Sequence, residues 1–375
     1  MHAQLTFYRS DGAVRYYNVE IGPYARRTLN VNTLAPHSST ALRVAANGFP
    51  VVERSLYNGS GHVVAGAPLP SRQWSISEGY VGPRFADGLR VFNPYDLPSV
   101  VTITAYSSDG SRHVSHVTVA GDTRTVVSLD DIAPVGQLAL NISASLPVVV
   151  ESIVRSFDAA GSSAAMALTA PSKWWCFPDG GTTKGNYEYI SIFNPHDRTT
   201  AIRLYGVASR GYDDPITIHV HAYSRAVFTV QGLIHQSGLA ALVISDQSIV
   251  AQEVRYTSSG GVSLIDGAAR PARDWALADG YNGAGFKEWI VLVNPNTKAA
   301  KAVVHPVGRN GMTAEHIFTV PARGRLYVEA GALLPSGPVA ALVDADRPIV
   351  VGRTMIFNKD AGLSTTIGVA LPPSR

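Results

Sequence analysis

The sequence predicts an all-β chain of tandem immunoglobulin-like β-sandwich units, each about 100 residues long. Three observations predict it. A set of residues recurs every 100 or 101 positions, β-branched runs are short and cut by Gly and Pro, and no long window keeps a helical period. A β-propeller is the alternative, because a hundred residues would hold two blades of about fifty. Against it, the two halves of a unit do not resemble each other.

The repeat is fixed by spacing. Trp74-Ser-Ile-Ser-Glu78-Gly79 returns as Trp175-Cys-Phe-Pro-Asp179-Gly180 and as Trp275-Ala-Leu-Ala-Asp279-Gly280. An Asn-Pro pair, headed by Asn93, Asn194 and Asn294, stands 19 residues after each Trp. Gly110, Gly211 and Gly311 stand 36 residues after it, and Arg124, Arg225 and Arg325 stand 50 residues after it. Pro147, Ser248 and Pro348 open a strand-like run 73 residues after it. Linkers around Pro68-Leu-Pro70, Pro171, Pro271 and Pro372-Pro373 read as breaks between domains.

The opening residues repeat the same unit without its first part. Asp11-Gly12 matches Asp109-Gly110, Arg26 matches Arg124, and Phe49-Pro50-Val51-Val52 matches Leu146-Pro147-Val148-Val149. The absent Trp would stand 25 positions before Met1. The expected units are therefore 1–73, lacking its first strands, then 74–174, 175–274 and 275–375, as in a fragment of a longer array. Met1-His2-Ala3 opens no export signal.

Within a unit the elements follow in order, taken here from the second. Gly88 to Phe92 runs into Asn93-Pro94, where Pro removes a ladder donor and ends the strand. Val100 to Tyr106 is β-branched and aromatic, and His113 to Val119 alternates after the Asp109-Gly110 turn. The other units place Gly12, Gly211 and Gly311 at that turn, as a hairpin with positive φ requires. Thr123 to Leu129, Gln137 to Ser143 and Pro147 to Phe157 are expected as three further strands.

The repeat resembles a Trp-x-x-x-(Glu/Asp)-Gly…Asn-Pro module found in tandem in large exported bacterial proteins, and the resemblance covers nearly the whole chain. It implies β-sandwiches in a secreted or cell-surface setting and brings no catalytic residues with it. The third unit departs from the pattern at Gly181, where the others have Tyr80 and Tyr281.

Composition excludes several classes. Apolar residues are 46% and charged residues 16%, which a disordered chain does not show. A net charge of +3 is too small for binding driven by phosphate neutralisation, so nucleic acid is not an expected partner. The single Cys176 excludes an intramolecular disulfide framework. No apolar run is long enough for a transmembrane helix.

The candidate chemistry is structural. Trp74, Trp175 and Trp275 read as core anchors at one end of each unit rather than sugar platforms. Glu78, Asp179 and Asp279 are expected to fork with Arg124, Arg225 and Arg325 of the same unit and tie strand to strand. His219-Val-His221 puts two imidazoles on one strand face without a third ligand. Asp130-Asp131, Asp213-Asp214 and Asp344-Ala-Asp346 fall at different positions in their units and read as solvated turns. Asn58-Gly-Ser and Asn141-Ile-Ser fit the glycosylation pattern. No nucleophile elbow, Walker loop or zinc-protease motif occurs, and neither a cofactor nor a metal is expected. The leading expectation is a non-enzymatic extracellular structural or adhesive array, such as a stalk, surface layer or filament component. Its partners would be further copies of itself, other cell-surface proteins, or glycans. A carbohydrate-binding surface protein is the second reading and a polysaccharide-active enzyme the third.

Overall fold

The computed structural model describes residues 1–57, 61–157, 161–232, 238–358 and 361–372. The chain is almost entirely β. In the second unit the Trp strand (Ser71–Ile76) is followed by the Asn-Pro strand (Gly88–Asn93) and a hairpin (Ser99–Ser107 and Arg112–Val119). The Arg strand (Thr123–Ser128), a long strand (Gly136–Arg155) and an inner strand (Ser162–Met166) complete it. The long strand serves two sheets. Its first half lies between the hairpin and the Trp strand; its second half lies between the Asn-Pro strand and the inner strand.

This corrects the expectation of separate strands at Gln137 to Ser143 and Pro147 to Phe157. The register shifts between Ser143 and Val148, at Leu146-Pro147, yet the strand continues. Pro is tolerated at such an irregularity because no ladder donor is needed there. The third and fourth units repeat the plan, with long strands Leu239–Thr257 and Ala340–Phe357 and inner strands Val262–Asp266 and Gly362–Ile367. Each of these units has its own apolar core, centred on Ile103 and Leu140, on Ile192 and Val243, and on Leu292 and Val343.

The first unit has the hairpin (His2–Arg9 and Val14–Glu20), the long strand in two pieces (Thr40–Ala46 and Glu53–Tyr57) and the inner strand (Gly61–Ala65). Its core is small, built on Leu5, Phe7 and Val19. Residues equivalent to Arg strands run without regular structure around Arg26.

The units do not follow one another in a line. Inner strands pack first against second, second against third, third against fourth, and fourth against first. Side chains link them around the axis. Leu264 N donates to Ser163 Oγ at 2.8 Å, Thr365 N to Ser263 Oγ at 2.9 Å, and Val63 N to Ser364 Oγ at 2.9 Å. At the remaining step His62 takes the serine's place, its ring bonded to the Ser162 backbone. The linkers expected as breaks between domains therefore join units already locked by an axial ring. Closure is what a propeller also shows, but each unit adds one inner and one outer sheet rather than two blades.

Candidate functional site

The constant residues of the repeat take equivalent places in each unit. Trp74, Trp175 and Trp275 are buried, and each indole N–H donates to a carbonyl three residues earlier and to a carbonyl of the long strand. The latter bonds, to Val148, Ile249 and Ile349, are all 3.0 Å. Asn93, Asn194 and Asn294 are fully buried. Each amide donates to a carbonyl four residues on and to two carbonyls at the end of the hairpin, while its oxygen accepts the backbone N–H two residues on. One side chain thus ends its strand and pins the next loop. Gly12, Gly110, Gly211 and Gly311 all have positive φ, from 82° to 103°.

The carboxylates depart from expectation. Glu78 does not pair with Arg124; it pairs with Arg225 of the next unit, Nη2 to Oε2 at 2.9 Å. Arg225 also donates to Ser77 O at 3.2 Å and Ser191 Oγ at 2.5 Å. Asp179 meets Arg325, again one unit ahead, at 3.4 Å, and accepts from Tyr327, from Thr354 at 2.6 Å and from Arg255 of its own unit at 3.2 Å. Asp279 closes the circle on Arg26 at 3.1 Å. The physical reason is geometric: around a ring the acidic turn of one unit faces the Arg strand of its neighbour. A periodic sequence fixes position within the period and leaves open which copy supplies the partner.

Arg124 is the exception. Its guanidinium donates to Ser39 Oγ and, at 3.4 Å, to Thr40 O, and among the described residues it pairs with no carboxylate. Burial and the nearby Arg90 disfavour its charge. Arg54 and Arg90 share the single carboxylate Glu151 beside it.

A second acidic series escaped the sequence reading. Asp87, Glu188 and Glu288 each stand 13 residues after their Trp and are buried. They accept the backbone N–H of Tyr80, Gly181 and Tyr281 at 2.9, 2.7 and 2.7 Å. The same count that found Asn-Pro would have found them, had Asp and Glu been treated as one class. Burial raises the Asp87 carboxyl to about 8, helped by the charge of Glu78. It raises Glu288 to about 7 and lifts Glu188 above the usual range.

Two concavities are present among the described residues. One, of about 540 Å³, lies at the end of the axis against Val63, Ala165, Leu264, Ile265 and Thr366. Its walls are apolar apart from Asp266, which accepts Gln252 Nε2 at 2.8 Å and is raised to about 7 by burial. The other, of about 660 Å³, lies between the fourth and first units against Arg26, Thr28, Ser55, Tyr57, Asp279 and Tyr281.

The remaining sequence candidates are not drawn together. His219 is exposed on its strand and His221 lies beyond the strand end. Among the described residues no His, Cys, Asp or Glu group could hold a metal. Asp344 bonds His305 at 2.7 Å, and Asp346 accepts Lys301 N at 2.8 Å. Cys176 is buried, which pushes its thiol pKa up. The Asn141 side chain accepts from Ser75 at 2.8 Å, and Asn58-Gly-Ser60 lies outside the described residues.

Two outcomes follow from these joints. In a double-mutant cycle on chemical denaturation, Arg225→Met alone should cost about 3–5 kcal/mol, because Glu78 is left buried and unpaired. Glu78→Gln should recover at least ~1 kcal/mol of that, while Glu78→Gln and Arg124→Met should add within about 0.5 kcal/mol. The second outcome concerns pH. Asp87, Asp266 and Glu288 have raised pKa values in the fold, so their contribution is complete below about pH 4 and is lost as pH rises through 7 to 8. Glu151 acts the other way: burial raises its pKa, but Arg54 and Arg90 outweigh that and hold it below the usual range. Its contribution is lost as acid protonates it. Tm should therefore be higher near pH 5.5 than near pH 8.5, and Asp87→Asn should reduce that difference.

Comparison with known proteins gives a family and no activity. No curated protein matches the sequence. Among solved structures, Thermotoga maritima 1070 is 17% identical over 26% of this chain and 94% of its own, with a TM-score of 0.25. A tetra-tandem repeat in the extending region of a large adhesion protein is 13% identical over 100% of this chain and 92% of its own, with a TM-score of 0.13. A Streptomyces avermitilis α-L-rhamnosidase complexed with L-rhamnose is 10% identical over 77% of this chain and 44% of its own, with a TM-score of 0.12. Likenesses this slight carry no argument. Residues 150–363, more than half of the chain, match a family of unknown function, DUF5719, and the chain belongs to that family.

Proposed function

We propose that the chain is a non-enzymatic structural module of an exported protein, a rigid ring of immunoglobulin-like units that displays its outer faces to cell-surface partners. One observation carries this reading: the residues that recur at constant spacing are used inside the units and at the joints between them. Repetition here makes a closed frame. The exported setting rests on the resemblance of the repeat. A stalk or filament made of units in line loses its motive, because the first and fourth units touch.

The carbohydrate reading asks for aromatic faces exposed in register. Tyr80 and Tyr281 occupy equivalent places, but each is engaged edge-on by its own Phe85 or Phe286, at 5.0 and 5.2 Å, and the third unit has Gly181. The hydrolase reading asks for one polar cleft in one place. The cleft at Arg26 and Asp279 would have to serve, and Asp279 there is engaged by Arg26.

The test is incubation of the purified chain with surface polysaccharides and with model glycoside, ester and peptide substrates. The expected result is no product above the blank. Turnover that Asp279→Asn abolishes in a folded variant would make the cleft an active site and overturn the reading.

A further inference from the structure

The first unit has two unfilled strand positions with a charge waiting at one end. In the second unit the Trp strand pairs with the first half of the long strand, Leu140 opposite Ile76, and the Asn-Pro strand lies between the Arg strand and the second half, Val91 opposite both Thr125 and Val150. In the first unit Thr40–Ala46 is paired with His2–Arg9 on one side only. The place of the Asn-Pro strand is the 660 Å³ opening, with Arg26 and Thr28 on one bank and Ser55 and Tyr57 on the other. Apolar side chains mark the vacancy. Leu42 is 38% exposed where its equivalent Leu140 is 0%, and Phe49 is 88% exposed. At the head of this gap stands Arg124, whose counterparts Arg225, Arg325 and Arg26 each hold the acid four residues after a Trp.

We propose that the first unit is an acceptor for strand addition, and that its occupant is a two-strand segment of the repeat's own opening type, Trp-x-x-x-(Glu/Asp)-Gly…Asn-Pro. The Trp strand would pair along Thr40–Ala46 and bury Leu42. The Asn-Pro strand would fill the opening beside Tyr57. The acid four residues after the Trp would take Arg124, making the fourth joint like the other three. Backbone pairing supplies the affinity and the side-chain pockets and the ion pair supply the selectivity.

The probe is a synthetic peptide of residues 71–95, which carries Trp74, Glu78 and Asn93-Pro94. The peptide should bind the chain at one to one and slow amide exchange in 40–46 and 53–57. The Glu78→Gln peptide should bind about tenfold more weakly. On the Arg124→Met chain the two peptides should bind alike, with circular dichroism reporting whether that variant is folded. Exchange protection on the unaltered chain tests the proposal even if the variant fails. Saturable binding that is absent, protection elsewhere, or a dimer of the chain that covers 40–46 and 53–57 by itself would overturn it.

Discussion

An arginine on one unit and a carboxylate on the next form the contact on which the rest of this structure depends. Arg225 with Glu78, Arg325 with Asp179 and Arg26 with Asp279 sit at three successive joints, each largely removed from water. A buried guanidinium without a partner costs several kcal/mol, so each unit is complete only beside its neighbour. The requirement runs around the axis, where Ser163, Ser263 and Ser364 each accept a backbone N–H from the following unit. Core packing makes the units; these directional bonds set how they meet.

The joints are charged, and their stability has a cost in acids. Asp87, Glu188 and Glu288 lie beneath the ion-pairing turns and bind backbone N–H groups of those turns. Their burial holds the turns in shape while favouring the neutral carboxyl. A backbone device accompanies the arginines: Tyr24, Asp122, Tyr223 and Arg323, each two residues before the joint arginine, have positive φ between 48° and 54°. Non-glycine residues there cost about 1–2 kcal/mol each. The tight turn aims the following strand at the neighbouring unit.

Much of the unit was legible in sequence. The hairpin with its Gly211, the strand end at Asn194-Pro195 and the indole of Trp175 each stand where spacing and turn chemistry place them. The long strand was not legible, because Pro147 reads as an end while the ladder passes it through a register shift. The choice of partner for Glu78 was not legible either, since Arg124 and Arg225 are the same position in the repeat. The axial serines were hidden by a one-residue drift, 89, 88 and 89 positions after their Trp. The turn residues before the arginines gave no signal because none is glycine. Local chemistry wrote the unit into the sequence; the ring is a property of relations between units.

The central claim is closure, and overall size tests it most directly. Small-angle scattering from the purified monomer should give a radius of gyration of about 21 Å, the value for a compact chain of this length. A value above about 30 Å, as units strung in line would give, would contradict the ring.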